Sequence, residues 1–306
     1  MATTGKAKYL FSALASTVIW GFFALPLRNL RAWPSEQILC YRIFTSLLII
    51  WLVIAVFRRK QLRSDLQTIR NLRPGEGRKL AVLTLLSGLL ITGNWYTFIY
   101  AVNNVSLKSA AFAYMVCPLI TALGGYFILR EALSRVKFIA LAVAFVSILL
   151  LATGSLVEVT WSVVIAALYA FYLIIQRKIN QVDKFNFLGV QMLLSVFLML
   201  PLFVSQYENF PVSPVFWFNI LAIAVIFTII PLFLSLYALL GIQSSTLGII
   251  IYLNPIIAFA VAFVYFGEKI TVHQMFAYGL LLLAVLLFNL QLIKDLAARR
   301  RGHGGA

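Results

Sequence analysis

Apolar residues fill this chain in long blocks, and polar residues collect in the short breaks between them. A run of about 20 predominantly apolar residues, coiled as a helix, is long enough to cross the hydrocarbon core of a bilayer. Ten such runs follow one another, at about 9–28, 35–57, 80–102, 107–129, 136–153, 159–176, 186–204, 214–239, 243–266 and 273–293. Inside a bilayer every backbone N–H and C=O must find a partner within the protein, so each run predicts a helix. The expected fold class is therefore an all-α integral membrane protein with ten transmembrane helices. The first run follows Lys6 and Lys8 and contains Ala13-Leu14-Ala15, as a cleaved signal would. Its apolar character continues to Leu27, which reads as a first span.

The interruptions repeat. Pro118 precedes Glu131 by thirteen residues, and Pro255 precedes Glu268 by the same thirteen, 137 positions later. That offset also carries Tyr100-Ala101 onto Tyr237-Ala238, Ser109 onto Thr246 and Ser134 onto Thr271. An offset of 149 sets Trp20-Gly21 on Tyr169-Ala170, Arg28 on Arg177 and Arg42 on Gln191. Helix-breaking and intramembrane polar residues are the ones that recur, not interchangeable Leu and Val. The prediction is two five-helix repeats, 1–154 and 155–294, followed by a basic cytoplasmic tail, 295–306. An odd number of helices per repeat inverts the second copy in the membrane. Inverted repeats are a recurring architecture of secondary transporters, with substrate bound near the midplane between them.

Composition agrees: 62% hydrophobic residues, 11% charged and a mean hydropathy of +0.97 leave too little polar surface for a soluble globule. The formal net charge of +16 would suggest nucleic acid were it spread over one face. Instead, with the N-terminus in the cytoplasm, 20 of the 25 Lys and Arg fall in cytoplasmic segments, eight of them between Arg58 and Lys79. Such asymmetry orients membrane helices. It predicts both termini cytoplasmic, a segment 58–79 that also touches anionic lipid headgroups, and no nucleic-acid partner. Cys40 and Cys117 both lie within spans, which argues against a disulfide framework or a metal site. His273 and His303 are the only histidines, with no paired His on a helix, no phosphate-binding glycine loop and no nucleophile–His combination. No enzyme and no cofactor is expected, and transport would run on gradients or exchange with a small-molecule substrate.

Certain residues stand out as candidates for a site. Pro118 and Pro255 lack the N–H that a helix uses, freeing the carbonyls one turn earlier. Those carbonyls, with Tyr114, Cys117, Tyr252 and Asn254 beside them, either face a wet cavity or accompany simple packing kinks. Pro26 and Pro231 have no repeat-related partners and are read as kinks. Asn94, in mid-span, requires an interhelical partner or water. Trp20, Trp95 and Tyr169 lie deep enough to wall a cavity, whereas Trp33, Trp51, Trp161 and Trp217 sit at span ends, as an interfacial belt does. Arg42 is about six residues into the second span, and either snorkels to the headgroups or pairs with Glu268 at the same outer level. Glu131 ends the fourth span on the opposite side. These three form the candidate gate.

Ile19-Trp20-Gly21, Arg42, Tyr252-Leu253-Asn254-Pro255-Ile256-Ile257 and Phe266-Gly267-Glu268 resemble the drug/metabolite transporter superfamily, in its EamA-domain family. Trp20-Gly21-Phe22-Phe23, Ile38-Leu39-Cys40-Tyr41-Arg42, and Asn94-Trp95 followed by Tyr100-Ala101-Val102-Asn103 resemble its chloramphenicol-sensitivity (RarD) branch. Two positions depart from the family pattern: Cys117 stands where Asn is expected before Pro, and Arg130 where Gly is usual before Glu. The resemblance implies two five-helix EamA domains and the export or exchange of small metabolites or drugs across the inner membrane, and the inverted repeats imply alternating access. A passive channel or facilitator, or a membrane assembly protein without transport, remains the alternative reading.

Overall fold

An apolar chain with no water to satisfy its backbone has helix as its local solution, and a proline within it can break that helix one turn earlier. In the computed structural model, which describes residues 4–105, 107–151, 156–205, 210–265 and 272–290, the apolar blocks are helical and no strand occurs among the described residues. The first block is split into α1 (Thr4–Gly21) and α2 (Ala24–Asn29). Its turn starts at Phe22, the residue whose carbonyl Pro26 leaves without a helical donor. Then come α3 (Ser35–Phe57), a short α4 (Arg59–Arg70), α5 (Pro74–Asn104), α6 (Leu107–Leu129) and α7 (Arg135–Leu151). The second half holds α8 (Leu156–Lys178), α9 (Lys184–Ser205), α10 (Pro214–Ala224), a π-helical turn (Val225–Ile229) and α11 (Ile230–Ala238). It ends with α12 (Ser244–Ile251), α13 (Leu253–Val264) and α14 (Val272–Phe288).

Three breaks therefore share one cause. Each lies four residues before a proline, at Phe22 for Pro26, in the π turn around Phe227 for Pro231, and at Ile251-Tyr252 for Pro255. Pro118 behaves differently, because α6 runs through it unbroken. The α4 helix was not expected from the basic segment 58–79.

Six stretches are long and apolar enough to cross a membrane: Ala7–Asn29, Glu36–Phe57, Pro74–Phe98, Val159–Lys178, Lys184–Val204 and Pro214–Ala238. Ala113–Leu129, Ser244–Ile257 and Met275–Phe288 are shorter apolar helices. Phe11, Leu48, Phe127 and Phe218 are exposed on the outside of the bundle, where a multi-pass membrane protein meets lipid tails. Inside, α6 packs on α8 and α12, α1 on α11 and α13, α5 on α8 and α9, α3 on α9, and α7 on α14. The α1–α13 approach depends on Gly21, since a Cβ there would lie 2.5 Å from Ile257 Cγ2.

The residue after α6, Arg130, has φ of 54°, in the left-handed region that glycine occupies without strain. A glycine before Glu131, as the resemblance leads one to expect, would take this conformation without strain. Arg130→Gly is expected to stabilise the protein by about 1 kcal/mol, by removing the Cβ–carbonyl conflict of a left-handed residue. Thermal unfolding of the two proteins in the same detergent measures it.

Candidate functional site

Pro231 leaves the Phe227 carbonyl without its α-helical donor, and the chain relaxes into the π turn around it. The freed oxygen is taken up by another helix: Trp20 Nε1, on α1, donates to Phe227 O at 2.9 Å. The Pro231 carbonyl accepts from Ser16 Oγ at 2.8 Å, and the Ser16 and Ser235 hydroxyls share a hydrogen bond of 2.7 Å. Across the bundle, Asn94 Nδ2 on α5 donates to Ile165 O on α8 at 2.8 Å. Asn94 is 2% exposed, so this bond answers the need for a partner that its mid-span position creates. Helices of the first half are thus tied by polar bonds to helices of the second half on both sides of the bundle centre.

A cavity of about 190 Å³ lies between these ties. Its wall carries Trp20, Arg42, Asn94, Trp95, Tyr114, Tyr169 and Asn254, drawn from α1, α3, α5, α6, α8 and α13. Phe98, Phe227, Thr228, Leu232 and Ile251 add apolar surface and one hydroxyl, and Phe23, Leu27, Ile38 and Leu39 extend the wall toward the α2–α3 turn. The aromatic rings brace one another, with Trp20 edge-on to Tyr169 at 6.1 Å and Phe98 5.6 Å from Tyr114. Arg42 is the one charged residue on the described wall. Its guanidinium carbon sits 5.0 Å from the Trp95 ring centroid, within cation–π range. Three wall atoms have no hydrogen-bond partner: Arg42 Nε, Tyr169 OH and Thr228 Oγ1.

Other sequence candidates stand behind this wall. Cys117 and Tyr252 are 1% and 0% exposed, and Pro118 and Pro255 are buried with them. Cys117 and Pro118 lie about one turn deeper than Tyr114, where α8 and α12 pack on α6. Tyr252, at the break between α12 and α13, is fully buried and does not line the cavity, whereas Asn254 does. Phe227 and Thr228 were not singled out from the sequence. Their signal was Pro231, four residues beyond the carbonyl it frees.

Glu131 stands at the other end of the bundle, away from the cavity. Its Oε1 accepts from Ser244 N at 2.7 Å and Ser244 Oγ at 2.9 Å, and its Oε2 accepts from Ser245 N at 2.9 Å. The first N–H groups of a helix have no internal partners and carry the positive end of its dipole. A carboxylate from α6's end therefore caps α12 from outside. Gly125 makes room, because a Cβ there would lie 2.6 Å from Glu131 Oε2 and 2.8 Å from Ser244 Oγ. The expected partner of Arg42, Glu268, lies outside the described residues.

The same end holds a second polar cluster. Asp65 on α4 is 6% exposed, and accepts from Asn186 Nδ2 at 2.6 Å and Asp183 N at 3.2 Å. Asp183 caps α9 through Phe185 N at 2.9 Å and Asn186 N at 3.1 Å, and pairs with Arg58 at 2.8 Å. Lys184, buried beside it, donates to the Gln176 and Ile179 carbonyls. Among the described residues no three His, Cys, Asp or Glu side chains stand together as a metal site would require.

Known proteins bear on this arrangement. The sequence profile of the EamA-like transporter family matches twice, over residues 7–153 and 156–290. Protein RarD of Escherichia coli is 27% identical over 287 residues, covering 92% of this chain and 93% of that protein. An uncharacterized transporter of Bacillus subtilis, YojE, is 26% identical over 298 residues, covering 94% and 95%. A solved crystal structure superposes with a TM-score of 0.73 over 93% of this chain and 97% of its own, at 14% identity, which is a likeness of fold.

Proposed function

Since the chain belongs to the EamA-like transporter family, and is a multi-pass membrane transporter of RarD-like type, we propose that it is a secondary carrier working by alternating access. Its substrate is a small amphipathic metabolite or drug-like molecule, exported or exchanged across the inner membrane, and its two five-helix repeats are inverted. The observation that carries this reading is one cavity walled by helices of both halves, lying toward the α2–α3 end, while Glu131 and α12 close the other end. With both termini cytoplasmic, the closed end is the cytoplasmic one.

The packing supports the repeat. Numbering the ten apolar runs in order, a shift of five carries the contact of the third with the sixth (α5 on α8) onto that of the eighth with the first (α11 on α1). It likewise carries α5 on α9 onto α10 on α3, while α3–α9, α6–α12 and α7–α14 map onto themselves. Asn94 and Pro231, 137 positions apart, occupy matching places, each beside a polar bond that joins the halves.

Purified protein in liposomes tests the mechanism, using a substrate found by uptake screening in inverted membrane vesicles. Saturable uptake accelerated by preloaded substrate is expected. Asn254→Ala should reduce it severalfold with little loss of folded protein, because one neutral intramembrane polar side chain contributes only about 0.6–2 kcal/mol. Linear flux without counterflow would replace the carrier by a passive facilitator.

A further inference from the structure

We propose that the cavity is an organic-anion site, in which Arg42 holds the carboxylate of a small substrate whose apolar or aromatic body lies against the surrounding rings. This rests on the reading of the cavity as the transport site. Arg42 is the only charged group on the described wall, and none of the wall residues is acidic. An ionised group at this depth is costly and ordinarily finds a partner. Here the guanidinium lies over the Trp95 ring, which is no carboxylate partner, and Arg42 Nε is without a hydrogen-bond partner. Guanidinium offers five donors and no acceptor, in a fork matching a carboxylate's two oxygens. Glu36, six residues earlier on α3, is rotated about 240° away at 100° per residue and cannot supply that charge.

The rest of the wall narrows the ligand. Trp20, Trp95 and Tyr169 provide flat apolar faces, as small-molecule sites do around a few polar anchors. Tyr169 OH and Thr228 Oγ1 have no protein partner although the residues are 5% and 2% exposed. Leaving buried hydroxyls unpaired is unfavourable, so a ligand bearing a second polar group besides its carboxylate gains by pairing with them. A cationic substrate would instead face Arg42 with no compensating acid on the described wall.

The full-length protein in detergent micelles tests this with three probes of similar shape and different charge: 3-phenylpropionate, its primary amide, and phenethylamine. Saturable binding is read by ligand-dependent thermal stabilisation. The carboxylate should bind about tenfold or more tightly than the amide, a difference of about 1.4 kcal/mol, with the amine weakest. Arg42→Gln should bring carboxylate and amide within about twofold of each other, and Arg42→Lys should restore part of the preference. Should Arg42→Gln not fold, the charge series on the unaltered protein still decides. Equal binding of carboxylate and amide, abolished by the cavity-filling Thr228→Trp, would overturn the anion assignment and leave the cavity as the transport site. Absence of binding by every probe, or binding untouched by Thr228→Trp, would overturn both.

Discussion

Glu131→Ala is expected to raise the alkylation rate of a cysteine at position 121 about 100-fold, measured with Thr121→Cys in a background where Cys40 and Cys117 are replaced. Thr121 is fully buried in the α6–α12 contact, where a Cβ on Gly248 would lie 2.8 Å from Thr121 Cβ. The reagent reaches it only when α6 and α12 part. Glu131 opposes that parting through three bonds onto α12. Bonds to a charged group contribute about 1.5–3 kcal/mol each, and removing the acceptor leaves the Ser244 and Ser245 N–H groups short of partners. A net loss of about 3 kcal/mol corresponds to roughly 100-fold in the open population. Glu131→Gln, which keeps one acceptor oxygen, should fall between the two. Gly125→Ala should act like Glu131→Ala while leaving the charge in place, because its Cβ would occupy the carboxylate's space. If neither substitution changes the alkylation rate, Glu131 is a helix cap and no gate.

The helices and their breaks were legible to different degrees, for reasons residue by residue. Block length alone announces each apolar helix, since nothing but helix satisfies the backbone in that setting. The breaks at Phe22, Phe227 and Ile251 follow from proline chemistry, four residues upstream each time. Reading Pro231 as a kink nonetheless concealed its consequence, because the donor that fills the vacancy, Trp20, is 207 residues away in sequence. Pro118 shows the converse, a recurrent proline inside a helix that does not break. Helix α4 was hidden by its composition: Leu62, Leu66 and Ile69 follow helical spacing, but Arg, Lys and Gln outnumber them, so the segment resembled a charged loop. Arg42, Asn94, Trp95, Trp20, Tyr114, Tyr169 and Asn254 could be chosen by depth and type, since rare polars and large rings in mid-span have few other uses. Depth says nothing of azimuth, which is why Tyr252 and Cys117 were grouped with them although they point into the core. The role of Glu131 depends on Ser244, 113 residues away, and no local pattern carries that.

Asp65→Ala is expected to lower the protein's stability by about 3 kcal/mol, whereas Arg58→Ala should cost under about 1 kcal/mol, although Arg58 forms the ion pair. Burial separates them. The Arg58–Asp183 pair has side chains 32% and 23% exposed, so water and salt weaken it, and holding two side chains in register opposes the gain. Asp65 is 6% exposed and accepts from Asn186 Nδ2 and Asp183 N, groups with little access to water once it is gone. Its loss also loosens the Asp183 cap, so the first turn of α9 is weakened with it. Asp65→Asn retains an acceptor oxygen and should cost about half as much. The contact joins α4 of the first half to the α8–α9 turn of the second, so the destabilisation should appear as one cooperative shift of the whole bundle. Thermal unfolding of all three variants at low and high salt distinguishes the contributions: Arg58→Ala should converge on the parent protein as salt rises, and Asp65→Ala should not. Equal effects of Arg58→Ala and Asp65→Ala would instead make the ion pair the main tie between these segments.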